Sequence, residues 1–138
     1  MITSIILSLI LIASGYASQY APGVMQRVIR VRQNNLTAYS LPLTLPSVDG
    51  YVAAQDCSTI GSIVYLRQNA HSEWERFLVA DCASRTSGSP RDGESSYTWM
   101  QRNNILFEID HETALRWNTV GRLSTVQQAL HNPERIYR

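Results

Sequence analysis

The fold of this chain is decided by two segments, YVAAQDC at residues 51–57 and FLVADC at residues 77–82. Both are short apolar runs that read as β-strands, and both end on an aspartate followed by a cysteine. Residues 62–67 and 105–109 form two further strand-like segments, and glycines mark the turns between them. We therefore expect a mainly β domain built from short strands.

Two segments nearer the N-terminus are also read as extended. Residues 27–32, RVIRVR, alternate apolar and charged side chains, which predicts a strand. Residues 41–46 alternate leucine with proline or threonine, which indicates an extended edge or loop rather than a central strand. With about six short strands in all, the sequence favours a small closed β-barrel.

Helices are predicted only in the last third of the chain. The run HETALRW after Asp110 predicts a helix with Asp110 as its N-cap and with Ala114, Leu115 and Trp117 directed toward the core. A second helix is predicted over residues 124–131, before a frayed tail. No internal repeat is visible in the sequence.

Composition excludes several classes of protein. The chain has 138 residues, 44% of them hydrophobic and 17% charged, which argues for one globular domain rather than a disordered chain. The net charge is only +1, so a nucleic-acid partner is not expected. Every basic residue is arginine, which excludes Schiff-base chemistry and a P-loop lysine.

The N-terminal segment suggests export. Residues 2–13 are almost entirely apolar and are too short to span a bilayer comfortably, and small residues follow them as a signal peptidase site requires. An uncleaved anchor and a first buried strand are the alternatives, and only this segment would touch a membrane. We therefore divide the chain into a signal or anchor at residues 1–15, a barrel at 16–123, and a C-terminal helix and tail at 124–138.

Export changes how the two cysteines are read. In an oxidising compartment Cys57 and Cys82, each at the end of a predicted strand, are expected to form a disulfide. Two buried free thiols in a cytosolic protein remain the alternative. We expect a secreted, periplasmic or extracellular protein.

Candidate chemistry is carried by three aspartates that end apolar strands, Asp56, Asp81 and Asp110. A half-buried carboxyl near another carboxyl at a barrel mouth keeps its proton to higher pH, as a general acid requires. The alternative is structural, with Asp110 as a helix cap and the other two binding backbone amides. No Ser/His/Asp hydrolase motif is present, and Asp110-His111-Glu112 cannot converge on a metal, so neither metal nor cofactor is expected.

A polar stretch at residues 84–96 is expected to be an exposed loop. Arg91 within it and the adjacent Tyr97 and Trp99 are candidate walls of a binding groove, because sugar rings stack on aromatic faces. Trp74 is a further candidate contact. A solvated loop ending in a packed aromatic residue is the alternative.

Three stretches resemble double-psi β-barrels of the RlpA-like and 3D-domain type, a group that includes MltA-type lytic transglycosylases and, more distantly, expansins and barwin-like proteins. Residues 15–23, GYASQYAPG, resemble the start of RlpA-like barrels, and residues 52–62 resemble their Ala-Ala-His…Leu-Gly segment. Residues 78–81, with residues 109–110 and Ala114 downstream, resemble the two strands that carry aspartates.

The resemblance implies a small six-stranded double-psi β-barrel with one or two short helices, and a peptidoglycan substrate. It implies glycan cleavage that leaves a 1,6-anhydro end, with Asp81 and Asp110 as catalytic residues. Gln55 stands where RlpA-like enzymes carry histidine, and glutamine cannot relay a proton. An MltA-like route through Asp110, with Asp81 as its charge partner, is therefore the expected mechanism.

Two other functions remain open at this stage. One is an expansin- or barwin-like module that binds cell-wall polysaccharide without cutting it, using Gln55, Asp56, Arg91, Tyr97 and Trp99 as contacts. The other is a secreted protein–protein interaction domain on the same barrel, which the near-neutral charge permits.

Overall fold

The computed structural model describes residues 11–34, 39–86 and 93–133, and these residues form a mainly β domain. The strands are β1 (Ile12–Gln19), β2 (Gly50–Ala54), β3 (Ile63–Arg67), β4 (Glu75–Cys82), β5 (Ile105–Ile109) and β6 (Ser124–Ala129). The helices are α1 (Val24–Asn34), α2 (Ser96–Arg102) and α3 (His111–Arg116), with a 3₁₀ turn at Cys57–Thr59.

The six strands form one closed sheet. They pair in the order β1–β5–β2–β4–β3–β6, and β6 returns to pair with β1. Two pairings are parallel, β1 with β5 and β2 with β4, and the others are antiparallel. Since every strand has two hydrogen-bonded neighbours, the sheet leaves no open edge.

The topology has an internal twofold relationship that the sequence does not show. Exchanging β1 with β4, β2 with β5 and β3 with β6 reproduces the same pairing order and the same strand directions. Within each half the first strand is followed by a helix, α1 or α2, and the second by a short helical element, the 3₁₀ turn or α3.

The core fills the interior of the closed sheet. Every strand contributes to it, and α3 closes one end by inserting Ala114 and Trp117, whose ring meets that of Phe77 edge to face at 6.0 Å. A second cluster lies on the outer face, where Met25 and Ile29 of α1 pack against Ala80 of β4. Thus α1 covers the outside of β4, which positions it over the candidate site described below.

The prediction of a strand at residues 27–32 was wrong, because this segment lies within α1. The alternation of charged and apolar residues fits a helix equally well: Met25 and Ile29, four residues apart, are buried, and Arg27 and Arg30 face solvent. Residues 41–46 form a loop, as predicted.

The prediction of a C-terminal helix at residues 124–131 was also wrong. Residues 124–129 form β6, which pairs with both β1 and β3 and closes the sheet. The glutamines and alanine of this segment favour a helix locally, but two free strand edges outweigh that preference. Helix α2, capped by the Ser95 hydroxyl on the Thr98 amide, was not predicted.

Other sequence expectations are confirmed in part. The helix after Asp110 forms, but Leu115 is 58% exposed instead of buried. Cys57 and Cys82 form a disulfide, which is compatible with an extracellular location. Strand β1 starts at Ile12, so residues 12–15, assigned above to a signal or anchor, belong to the sheet. Within the part of the chain that the structure describes, no helix has the length and hydrophobicity of a membrane span.

Candidate functional site

Four side chains form a row across the outer face of the sheet. Ser18 of β1 pairs with Glu108 of β5, Glu108 pairs with Ala53 of β2, and Ala53 pairs with Asp81 of β4. Directly paired residues share one face of a sheet, so the row reads Ser18, Glu108, Ala53, Asp81. The Ser18 hydroxyl donates a 3.0 Å hydrogen bond to Oε1 of Glu108. Two carboxyl-bearing residues therefore flank one small alanine.

This placement of Asp81 depends on an irregularity in the strand pairing. The register of β2 against β4 shifts between Val52 and Ala53, so that Ala53 lies opposite Asp81 rather than Ala80. Val79 faces the core, and strict alternation would turn Asp81 inward as well. The extra residue instead puts both Ala80 and Asp81 on the outer face, an effect typical of β-bulges beside functional sites.

Both oxygens of Asp81 are engaged. Arg32, near the end of α1, donates to Oδ1 at 2.5 Å, and the Tyr20 hydroxyl donates to Oδ2 at 2.5 Å. The side chain of Asp81 is only 14% exposed, so the ion pair lies in a partly desolvated place. These contacts fix α1 over β4.

The Tyr20 phenol lies within the influence of both acidic residues. Burial raises the pKa of Tyr20 far above its ordinary value, and the negative charges of Asp81 and Glu108 raise it further, while Arg32 acts in the opposite direction. Tyr20 therefore stays protonated and acts as a hydrogen-bond donor. Both carboxylates therefore lie near the Tyr20 hydroxyl.

Asp110 lies elsewhere, although the sequence predicted it as the partner of Asp81. It follows the end of β5 at the start of α3 and is 3% exposed, and its amide donates to the Tyr51 carbonyl near the start of β2. Asp81 lies toward the opposite end of β2, beside Ala53. Among the hydrogen bonds and ion pairs of the described residues, none joins the side chains of Asp81 and Asp110.

The surroundings of Asp110 are tight. Burial raises its pKa above the ordinary carboxyl value, and the Glu112 charge adds to this, while the Thr113 hydroxyl and nearby amides oppose it. Neither Asp110 Oδ1 nor Thr113 Oγ1 makes a well-formed hydrogen bond to a described residue. Gly50 is required here, because a Cβ would come within 3 Å of Thr113 and Phe77 and 3.1 Å from Asp110. At the N-cap position, Asp110 makes no side-chain capping bond.

The remaining predicted contacts have structural partners. Gln55 donates a 2.7 Å hydrogen bond to the Ile105 carbonyl, which links β2 to β5. Asp56 is exposed and accepts from the Ser58 amide, and this hydrogen bond lowers the pKa of Asp56. It caps the 3₁₀ turn beside the disulfide, in agreement with the structural alternative for this residue.

Tyr97 and Trp99 lie on α2, which packs against β5. The Arg85 guanidinium stacks 4.2 Å over the Tyr97 ring, and Trp99 packs at the edge of a small cluster around Met100. Arg91 lies outside the described residues. Trp74 is stacked under Arg67 at 4.2 Å.

Two clefts border the row. The larger, about 590 Å³, contains Ser18 and Tyr20 at the end of β1 together with His111 and the loop before β6. The smaller, about 290 Å³, lies between α1 and Asp81. The clefts touch the row at its two ends, Ser18 and Asp81. We take the row, with Tyr20 and Arg32, as the candidate site.

Sequence reasoning missed Glu108. Its signal was the alternation of β5, in which Glu108 stands between the buried Phe107 and Ile109 and must face outward. The sequence pattern favoured Asp110 instead, because Asp110 ends the apolar run. Ser18, which lies in the segment GYASQYAPG, was likewise not predicted as a site residue.

No cluster of three His, Cys, Asp or Glu side chains able to hold a metal is found within residues 11–34, 39–86 and 93–133. Comparisons of the chain with protein-family models, with curated proteins and with solved structures give no match.

Proposed function

We propose that this protein is a secreted double-psi β-barrel that cleaves cell-wall glycan strands in the manner of a lytic transglycosylase. The twofold topology supports this barrel type. The closed sheet contains two parallel strand pairs, β1 with β5 and β2 with β4, and exchanging the two halves maps one pair onto the other. The motifs that carry the resemblance, at residues 15–23 and 52–62, lie at the first and second strands.

A single observation carries the proposal of catalysis: Glu108 and Asp81 flank Ala53 on one face of the sheet. Their Cα atoms are two strand spacings apart, about 10 Å. Both oxygens of Asp81 are already hydrogen-bonded, to Arg32 and Tyr20, so we assign the proton transfer to Glu108.

In this mechanism protonated Glu108 donates its proton to the glycosidic oxygen as the bond to the anomeric carbon breaks. The carboxylate so formed accepts the proton of the sugar's own 6-hydroxyl while that oxygen bonds to the anomeric carbon. The products are a free glycan end and a 1,6-anhydro end, and no water is consumed. Ser18 orients the Glu108 carboxyl, and the Asp81 carboxylate stabilises positive charge on the sugar ring.

The experiment is mass spectrometry of the soluble fraction after the protein is incubated with purified peptidoglycan. Release of fragments with 1,6-anhydro ends supports cleavage. Release of fragments with reducing ends instead would indicate hydrolysis and contradict the mechanism.

One observation favours a second function, a polysaccharide-binding module without catalysis. Both oxygens of Asp81 are already hydrogen-bonded, and Gln55 is bonded to a backbone carbonyl, so neither offers a free group for chemistry. This function predicts that the protein sediments with insoluble peptidoglycan and releases no product. Failure to sediment with any polysaccharide would exclude it.

A further inference from the structure

We infer that the larger cleft beside Ser18 and Tyr20 binds the carboxylate-bearing peptide that is attached to a cell-wall glycan strand. The inference rests on the proposed function, because it takes the glycan to approach Glu108 from the cleft that Ser18 lines. It goes further by assigning a second recognition element, so that the protein selects strands that carry acidic peptides over bare strands.

The larger cleft adjoins the candidate site. Ser18 and Tyr20 belong both to this cleft and to the candidate site, where Ser18 binds Glu108 and Tyr20 binds Asp81. A substituent on the sugar next to Glu108 would therefore enter the cleft without leaving the protein surface. The volume of about 590 Å³ matches that of ordinary ligand sites, and it suits a short peptide.

The side chains that line the cleft suit an acidic peptide. Arg122 and His111 supply a cation and an imidazole, and Val120 and Leu123 are 50% and 48% exposed. None of the described lining residues is acidic. The Arg122 guanidinium donates to the Asn118 carbonyl and makes no ion pair with a described residue, so its charge is free for a carboxylate. A bare glycan strand would need neither the charge nor the apolar wall.

The cleft is already formed before a ligand binds. The Gln19 amide donates to the carbonyls of Thr119 and Arg122 at 2.7 and 3.0 Å and accepts from the Gly121 amide at 3.0 Å. These three hydrogen bonds fix the loop that carries Val120, Arg122 and Leu123. A wall held in place loses little conformational entropy when a ligand binds.

The test compares two forms of one peptidoglycan preparation, one intact and one from which an amidase has removed the peptides. Binding is measured by depletion from solution, using the full chain with Glu108→Gln to prevent turnover. We expect affinity for the intact form to be higher by roughly fivefold or more, and Arg122→Gln to abolish this preference. Arg30→Gln, the same charge change on the exposed face of α1, should leave the preference intact.

Leu123→Ser provides a variant that keeps the charge, and it should weaken binding of the intact form only. The inference would be overturned if the Glu108→Gln protein bound both forms with equal affinity. It would also be overturned if the preference for the intact form survived the further change Arg122→Gln. Wild-type protein that releases anhydro products equally from both forms would support the proposed function and refute the inference. A preference that depends on Arg122, without product from either form, would support the inference and refute cleavage.

Discussion

Gln19 and Cys82 occupy equivalent positions in the two halves of the closed sheet. Gln19 lies opposite Ile109, the last residue of β5, and Cys82 lies opposite Ala54, the last residue of β2. Cys82 fastens the 3₁₀ turn that follows β2 by a disulfide to Cys57. Gln19 fastens the loop that follows α3 by three hydrogen bonds, so one half is closed covalently and the other is not.

Replacing Gln19 should therefore loosen that loop. Gln19→Ala removes two donors and one acceptor and leaves backbone groups of the loop without partners. We expect the free energy of unfolding to fall by about 2 kcal/mol in urea titrations, and the Gly121 amide to exchange faster. Gln26→Ala, which removes one exposed 3.3 Å contact, is the matched control and should change stability by less than about 0.5 kcal/mol. Equal effects of the two variants would contradict the account.

The Arg32–Asp81 ion pair should show coupling. Arg32→Gln leaves a partly buried carboxylate without its cation, and we expect a loss of about 2 kcal/mol in the free energy of unfolding. Adding Asp81→Asn should recover part of this loss, because the unpaired charge is then absent. A double-mutant cycle measures the coupling, and additive losses would show that the two side chains act independently.

Asp110 should make the protein less stable as pH rises. Because burial raises its pKa in the folded state, the folded protein binds the Asp110 proton more tightly than the unfolded chain does. The resulting stabilisation is complete below the unfolded value, about 3.9, and is lost as pH rises through the folded pKa. Asp110→Asn, which does not titrate, should therefore melt progressively higher than wild type as pH rises above 4. Melting curves between pH 3 and 7 check this, and a gap that widens toward acid would contradict it.

The start of β1 should matter for stability. A chain beginning at Tyr16 lacks Ile12–Gly15, which pair with residues 126–129 of β6. At about 0.5 kcal/mol for each of the four lost pairs, we expect it to be less stable by roughly 2 kcal/mol than a chain beginning at Leu11. Thermal melts of the two chains make the comparison. Identical melting temperatures would show that these four residues are dispensable.

The sequence predicted the four central strands because their signal is local. The segments that became β2, β3, β4 and β5 are short apolar runs between glycines and polar turns, and no helical period competes with them. Residues 27–32 and 124–129 were misassigned because each fits two periods. The choice between helix and strand depends on the element that each segment contacts. Helix α1 packs against Ala80 of β4, and β6 pairs between β1 and β3.

The candidate site could be predicted only in part. Asp81 was identified because it ends an apolar run. The position of Glu108 across Ala53 from Asp81 depends on the register of three strands and on the shift between Val52 and Ala53. Asp110 looked equivalent in sequence, but its carboxyl turns into the tight space beside Gly50. Registers and bulges arise from pairing across the sheet, and no local pattern specifies them.

The most direct test of the central claim is a comparison of Glu108→Gln with Asp110→Asn in the peptidoglycan assay. Both changes remove one carboxyl and keep its size, and melting temperatures would establish that both variants are folded. The account predicts that Glu108→Gln loses release of 1,6-anhydro products by about a hundredfold or more, whereas Asp110→Asn retains it. Loss of product in Asp110→Asn with full activity in Glu108→Gln would contradict it.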